Sequence, residues 1–231
     1  MPTLSIILPV LDEALNITSA LTAVAPFRAR GAEVIVVDGG SRDRTMELAA
    51  PHADRVIGAP RGRAAQMNAG AAVARGDVLL FLHADTRLPP EADGLVLDGL
   101  SGPAWRWGRF DVRIEGRSPL LMLVGSLMNW RSLVTGIATG DQAMFVARDA
   151  FDAVGGFPDI ALMEDIELSR RLKRLSRPLC LTARVTTSGR RWDERGAIRT
   201  ILLMWRLRLG YFLGANPAVL ARRYGYVPRD G

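Results

Sequence analysis

The stretch Asp77-Val78-Leu79-Leu80-Phe81-Leu82-His83-Ala84-Asp85-Thr86 constrains this chain more than any other. Val78 to Leu82 are large and apolar without a break, the pattern of a strand buried on both faces, as in parallel sheets. The strand runs into His83-Ala84-Asp85 and is closed by Thr86 and the Pro89-Pro90 pair. In open α/β sheets ligands bind just past the carboxyl ends of the strands. Asp85 therefore stands where a metal ion or a phosphate is handled. From this stretch alone, an Asp that simply starts a turn fits equally well.

The preceding residues repeat the theme. Ser5 to Val10 form a first buried strand, and a helical pattern follows through Ile17, Leu21 and Val24, with Asn16 or Asp12 as its cap. Glu33 to Asp38 is a second strand rich in β-branched residues. Gly39 to Asp43 is its turn, and a helix is expected over 44–50. Arg55-Val56-Ile57 is a short strand, and Ala64 to Ala74 a helix. Alternation of strand and helix predicts βαβ units and a mostly parallel sheet with flanking helices.

After Pro90 the rhythm changes. Residues 105–114 alternate apolar and polar, as in a half-wet strand. Residues 119–138 are apolar but interrupted by Asn129 and Arg131, so a buried or interfacial helix fits better than a bilayer span of ~20 apolar residues. Gln142 to Val146 reads as a strand, Gly155-Gly156-Phe157 as a turn and Glu164 to Leu175 as a helix. The expected organisation is a single domain, residues 1–231, with halves at 1–90 and 91–190 and a basic amphipathic helical tail over 191–231.

The 231 residues, 48% hydrophobic and 23% charged, exclude a generally disordered chain. The single Cys180 excludes an internal disulfide and a cysteine zinc site and fits a reducing, cytoplasmic compartment. Met1-Pro2-Thr3 carries no basic region ahead of Leu4–Leu8, so no secretory signal is read there. Net charge is +6, and the whole of that excess lies in 190–231, where 9 Arg face 3 acids. The apolar content of this tail favours lipid or phosphate over nucleic acid.

Three carboxylates fall at or near strand ends, Glu13, Asp38 and Asp85, which a parallel sheet gathers on one edge. Nucleosides need acceptors there, and a diphosphate needs a divalent cation or basic groups. An Asx turn with Gly39-Gly40 is the plainer reading of Asp38. The pair is not a G-x-G-x-x-G fingerprint, which argues against a nicotinamide site. Arg61-Gly62-Arg63 precedes a helix carrying Gln66 and Asn68, a place that favours an anion, although a solvated loop is also consistent. Glu164, Asp165 and Glu167 occupy the first turn of a helix, where the dipole favours acids with or without catalysis.

Taken together, Pro9-Val10-Leu11-Asp12-Glu13, Val37-Asp38-Gly39-Gly40-Ser41-Arg42-Asp43, His83-Ala84-Asp85 and Glu164-Asp165-Ile166-Glu167-Leu168 resemble the family 2 inverting glycosyltransferases. That family has the GT-A fold, a Rossmann-like nucleotide-sugar transferase fold. Arg63 to Gly70 and Gly140-Asp141-Gln142 look closer to a bacterial subgroup labelled arsenosugar-biosynthesis glycosyltransferases. The resemblance implies a hexosyl-type transfer from a nucleoside-diphosphate sugar to an acceptor hydroxyl, with inversion and with Mn2+ or Mg2+. It assigns Pro9, Leu11, Glu13, Asp38, Arg63, Gln66, Asn68 and Asp85 to the donor, and Asp165 to the general base. Gly140, Asp141, Gln142 and Glu164 fall to the acceptor side. Asp85 anchors the metal. Where the family usually has a second acid, this chain has His83; imidazole ligates Mn2+, whereas Mg2+ prefers oxygen.

In the tail, Arg195, Arg199 and Arg206 share a helical face opposite Ile198, Leu202, Trp205, Leu209 and Phe212, with Arg208 among the apolar positions. Such a helix lies on an anionic membrane, here the inner face of the cell membrane, or packs into the core with a basic rim. Two other functions fit the same sheet: a nucleotidyltransferase, which would want a basic Gly-rich loop after the first strand, and a non-catalytic sugar-nucleotide-binding or membrane-recruited protein.

Overall fold

The computed structural model describes residues 2–226; Met1 and 227–231, the end of the expected tail, lie outside the described residues. The first half is built as the apolar periodicity demands. β1 (Leu4–Val10), α1 (Ile17–Ala29), β2 (Glu33–Asp38), α2 (Thr45–Ala49), β3 (Arg55–Gly58), α3 (Arg63–Val73) and β4 (Val78–Phe81) alternate without exception. β3, β2, β1 and β4 are neighbours in that order, all parallel. Alternate residues of β1 feed opposite cores: Ile6 and Leu8 pack with α1, Ile7 with α3. A fully buried side chain of this size is worth about 1.5–3 kcal/mol, which is why an unbroken apolar run commits to the interior.

α3 lies close to the sheet at Gly70. A Cβ there would stand 2.4 Å from Ile7 Cγ2 and 3.0 Å from Val37 Cγ2, so any side chain would lift the helix off β1 and β2. Asn16 caps α1 by position only. Its amide donates to Glu13 Oε2 at 2.7 Å, and Asp12 spends its carboxylate on the Arg42 N–H.

The second half departs from parallel order. It comprises β5 (Thr86–Arg87), α4 (Ala92–Gly99), β6 (Trp107–Glu115), α5 (Leu120–Thr135), β7 (Phe145–Ala147), α6 (Arg148–Ala153), α7 (Glu164–Leu172), β8 (Leu179–Ser188), α8 (Arg190–Arg195), α9 (Ala197–Phe212) and α10 (Pro217–Tyr224). β7 inserts antiparallel between β4 and β6, β8 runs parallel to β6, and β5 closes the edge antiparallel to β8. The strand expected from Gln142 starts later, because Gly140–Gln142 forms a 3₁₀ turn ahead of β7.

The polar residues that interrupt the 119–138 run face inward. Asn129 exchanges hydrogen bonds with the backbone of Val112, 2.8 Å to its N–H and 3.0 Å to its carbonyl, pinning α5 on β6. The outer face of α5 leaves Met122, Leu123, Leu127, Trp130 and Leu133 exposed. The tail helix corrects the core-packing alternative: Ile198, Leu202, Trp205, Leu209 and Phe212 are 57–69% exposed, and α9 instead buries Thr200 and Leu207. Among the described residues, no helix is long and apolar enough to cross a membrane.

Candidate active site

The carboxyl edge of the parallel strands is laced into one frame. Asp12 N–H donates to Ser41 Oγ at 2.8 Å, Glu13 N–H to Thr45 Oγ1 at 2.8 Å, and Ala14 N–H to Asp43 Oδ2 at 3.0 Å. Asp38, 2% exposed, accepts the Gly40 and Ser41 N–H groups at 2.8 Å each and the Ser41 hydroxyl, so the Asx-turn reading is realised. Pro9, Leu11 and Glu13 stand half-buried beside it.

The helix after Gly62 serves this frame differently from the expectation. Gln66 is buried, and its Nε2 donates to the carbonyls of Val10 and Val37 at 2.8 Å, tying the ends of β1 and β2 together. Asn68 binds the Phe157 backbone on both sides, at 2.8 and 2.9 Å, and so holds the Gly155–Phe157 turn. Both amides hydrogen-bond the protein's own backbone, where the sequence reading expected donor contacts. Arg63, also expected at the donor, stands on a neighbouring wall. It lines a small pocket with His83, Gly140, Glu164 and Asp165, on the side expected for the acceptor. Burial opposes its charge, yet the fields of Glu164, Asp141 and Asp165 outweigh that and hold its pKa above the usual value.

Asp85 is exposed beyond β4, with one long side-chain contact, from Thr86 Oγ1 at 3.3 Å. It borders an open cleft of about 430 Å³ that also takes in Asn16, Glu115, Thr187 and Arg190. Arg191 lies within the field of Asp85 and Asp141. His83 packs against Gly140, where a Cβ would stand 2.6 Å from its Cε1, and its Nδ1 is 3.6 Å from Asp141 Oδ1.

Among the described residues, no group of three or more His, Cys, Asp or Glu could hold a metal unaided. A hard cation taken up through one carboxylate and the ligand's own phosphate oxygens needs no such cage. The uncommitted oxygens of Asp85 fit that manner of binding. His83, turned to Asp141, adds nothing that Mg2+ would prefer.

In the small pocket with Arg63, Asp165 Oδ2 accepts the Gly140 N–H at 2.9 Å and Oδ1 the Ile166 N–H at 2.7 Å. Gln142 is fully buried and braces Thr139, accepting its N–H at 3.2 Å, whereas Asp141 is half exposed. Burial pulls the Asp141 carboxyl up, but His83, Arg63 and Arg191 outweigh it and hold the pKa below the ordinary range. Among the described residues, the three non-glycine positions with positive φ, Asp12, Ala143 and Met163, all flank this region; such backbone is retained where surrounding structure over-determines it.

Glu164 is 5% exposed. Burial, reinforced by the charge of Asp165 and opposed by Arg63, pushes its carboxyl up to about 7. The folded protein therefore keeps a proton that the unfolded chain releases above the ordinary 4.5. Stability is expected to fall as pH rises from there to about 7, where the loss is complete. Glu164→Gln should flatten that slope in denaturant titrations at successive pH values. Identical slopes for both proteins would remove Glu164 as the source.

Residues 5–115 match Glycosyl transferase family 2. This stretch, just under half of the chain, is similar to that family. The undecaprenyl-phosphate 4-deoxy-4-formamido-L-arabinose transferase of Pseudomonas paraeruginosa is 33% identical over 98 residues, 38% of this chain and 29% of its own length. A β-monoglucosyldiacylglycerol synthase from Synechocystis is 27% identical, over 75% of this chain and 43% of its own. The chain thus spans less than half the length of these curated relatives.

Two solved structures share the GT-A fold. The mannosyltransferase PcManGT of Pyrobaculum calidifontis, in complex with GDP-Man and Mn2+, gives a TM-score of 0.66 at 23% identity, covering 98% of this chain and 66% of that one. S. aureus TarS 1–349 with UDP-GlcNAc gives 0.64 at 17%, covering 80% and 58%.

The sequence reading gave no site role to Arg131, Arg191 or Arg208. Their one visible signal was charge inside apolar runs, as for Arg131 and Arg208.

Proposed function

We propose that this chain is a glycosyltransferase moving a sugar from a nucleoside-diphosphate sugar to an acceptor hydroxyl with inversion. One observation supports the reading: Asp165 accepts the Gly140 N–H at 2.9 Å in a small pocket shared with His83, two residues before Asp85 in the chain. The acceptor oxygen bonds to the anomeric carbon as the bond to the diphosphate oxygen breaks, and the hydroxyl proton passes to Asp165. Attack opposite the leaving group gives inversion. Glu164, neutral beside Asp165 below about pH 7, keeps the neighbouring carboxylate from facing a second charge.

Pro9, Leu11, Glu13 and Asp38 frame the nucleoside, with Gln66 and Asn68 as positioning residues. Arg191 faces the diphosphate. Mn2+ or Mg2+ held by Asp85 and the donor oxygens would offset charge gathering on the leaving group. Gly140, Asp141 and Gln142 shape the acceptor side. The narrower likeness to the arsenosugar subgroup rests on Arg63–Gly70 and Gly140–Gln142 alone.

The architecture supports one domain, with a donor half over 1–90, an acceptor half over 91–190 and the tail as cover. The exposed apolar faces of α5 and α9, with Arg199 and Arg206 near the latter, support peripheral attachment to an anionic membrane from the cytoplasmic side. Mass action makes the donor reading testable: a ligand at about 100 times its Kd adds about 2.7 kcal/mol to stability. UDP-, GDP- or dTDP-sugars should raise the melting temperature in a Mn2+-dependent way. If all fail, with and without metal, the donor site is lost, and a binding-only protein is excluded by release of nucleoside diphosphate.

A further inference from the structure

Two arginines have no part in the scheme so far. Arg131 lies near the end of α5 and Arg208 in the middle of α9, both half-buried. Among the described residues, the Nε atoms of both are buried without a hydrogen-bond partner, and they are the only side-chain nitrogens or oxygens in that state. Arg131 retains one long contact, from Nη2 to the Ile137 carbonyl at 3.5 Å.

Burial lowers both pKa values, that of Arg131 to about 10, with the charge of Arg208 pushing the same way; Asp165 and Asp141 act against this for both. Two like charges are thus held near each other with donors uncommitted. Leaving a buried charged group unpaired is among the costliest arrangements a fold can keep.

Their place in the fold is defined. Ile137, which Arg131 touches, begins the loop to Gly140, whose N–H holds Asp165. Leu207, next to Arg208, packs with Met163 and Ile166, the residues on either side of the Glu164-Asp165 pair. Both guanidinium groups therefore lie on the acceptor side of the general base. The donor edge has its own basic group in Arg191. Guanidinium forks match phosphate oxygens in a bidentate way, and the uncommitted Nε donors of both side chains are what one bound oxyanion would satisfy.

We infer that Arg131 and Arg208 form an oxyanion-binding pocket for the acceptor, which makes the acceptor a phosphate-bearing molecule. This rests on the reading of Asp165 as the base, because only then does the neighbouring space hold the acceptor. The phosphate is supplied either by a soluble phosphorylated compound or by a lipid headgroup presented at the apolar faces of α5 and α9.

The test compares wild type with Arg131→Gln, Arg208→Gln and the double variant, using glycerol 3-phosphate as the soluble probe and vesicles containing phosphatidic acid as the lipid probe. Neutral phosphatidylcholine vesicles are the control. Titrations are run with and without saturating UDP or GDP and Mn2+, so that donor-site binding is separated from the new pocket. Each substitution should weaken the effective probe about tenfold, as expected for one charge-assisted contact, and leave nucleotide binding unchanged. Without any ligand the variants should melt no lower than wild type, since a costly unpaired charge has been removed.

Binding of glycerol 3-phosphate assigns a soluble acceptor, and arginine-dependent binding to phosphatidic acid vesicles alone assigns a lipid. Equal binding by wild type and the double variant, or no binding of either probe to wild type, overturns the pocket. Loss of nucleotide binding in wild type would instead count against the donor reading, while the arginine comparison still decides the pocket.

Discussion

Replacing Asp165 by asparagine is expected to lower kcat by ~10²–10⁴-fold, the usual contribution of a positioned general base, with nucleoside diphosphate binding intact. The geometry argues for this separation. Asp165 belongs to the first turn of α7 and reaches Gly140 and Ile166 by hydrogen bonds, whereas the frame around Asp38 is held by a different set of contacts. An asparagine keeps the shape and one oxygen but cannot take up the acceptor's proton. It also leaves one of the two N–H groups without its carboxylate oxygen, so local loosening of the Gly140 turn is part of the result. Single-turnover kinetics beside calorimetric titration of the nucleoside diphosphate check the prediction. Near-normal turnover would take Asp165 out of the mechanism.

The second large effect is expected at Asp85, past the end of β4. Asp85→Asn should reduce kcat/KM on the order of 10²-fold or more, because a divalent ion held there as proposed would contribute several kcal/mol of charge stabilisation. The loss should lie in the metal-dependent part of the rate, so that raising Mn2+ restores some activity and EDTA brings wild type down to the variant. Folding should hardly notice, since Asp85 is exposed and has a single contact at 3.3 Å. Initial rates across a metal titration, beside melting curves, measure both. A variant that kept its full metal response would move the anchor elsewhere.

The donor half was legible because its strands carry information at every residue. Val34 to Val37 and Val78 to Leu82 are buried on both faces, and few structures other than a covered parallel sheet accept such runs. β8 was missed for the opposite reason. Its residues, Leu179 to Ser188, are mostly only partly buried, so alternation is weak, and its pairing with β6 across 70 residues of chain leaves no local trace.

Side-chain amides are equally hard to place from the sequence. Gln66 and Asn68 look like ligand contacts in a motif, and nothing in the sequence says that the carbonyls of Val10, Val37 and Phe157 need them. The outward turn of the α9 stripe was equally hidden, since a helical period fixes which residues share a face but not what that face meets. Arg208 was visible only as a charge among apolar positions, and its burial gave that anomaly a meaning.

Gly140 leaves no space for a Cβ beside His83 and donates its N–H to Asp165. On the proposed mechanism, this single peptide would set the spacing between leaving group and proton acceptor, with no side chain of its own to adjust it. The molecule is thereby divided into a part open to variation and a part closed to it. Acceptor preference can drift, or be transplanted, through the residues of α5 and α9 while the reaction's internal ruler stays one glycine long.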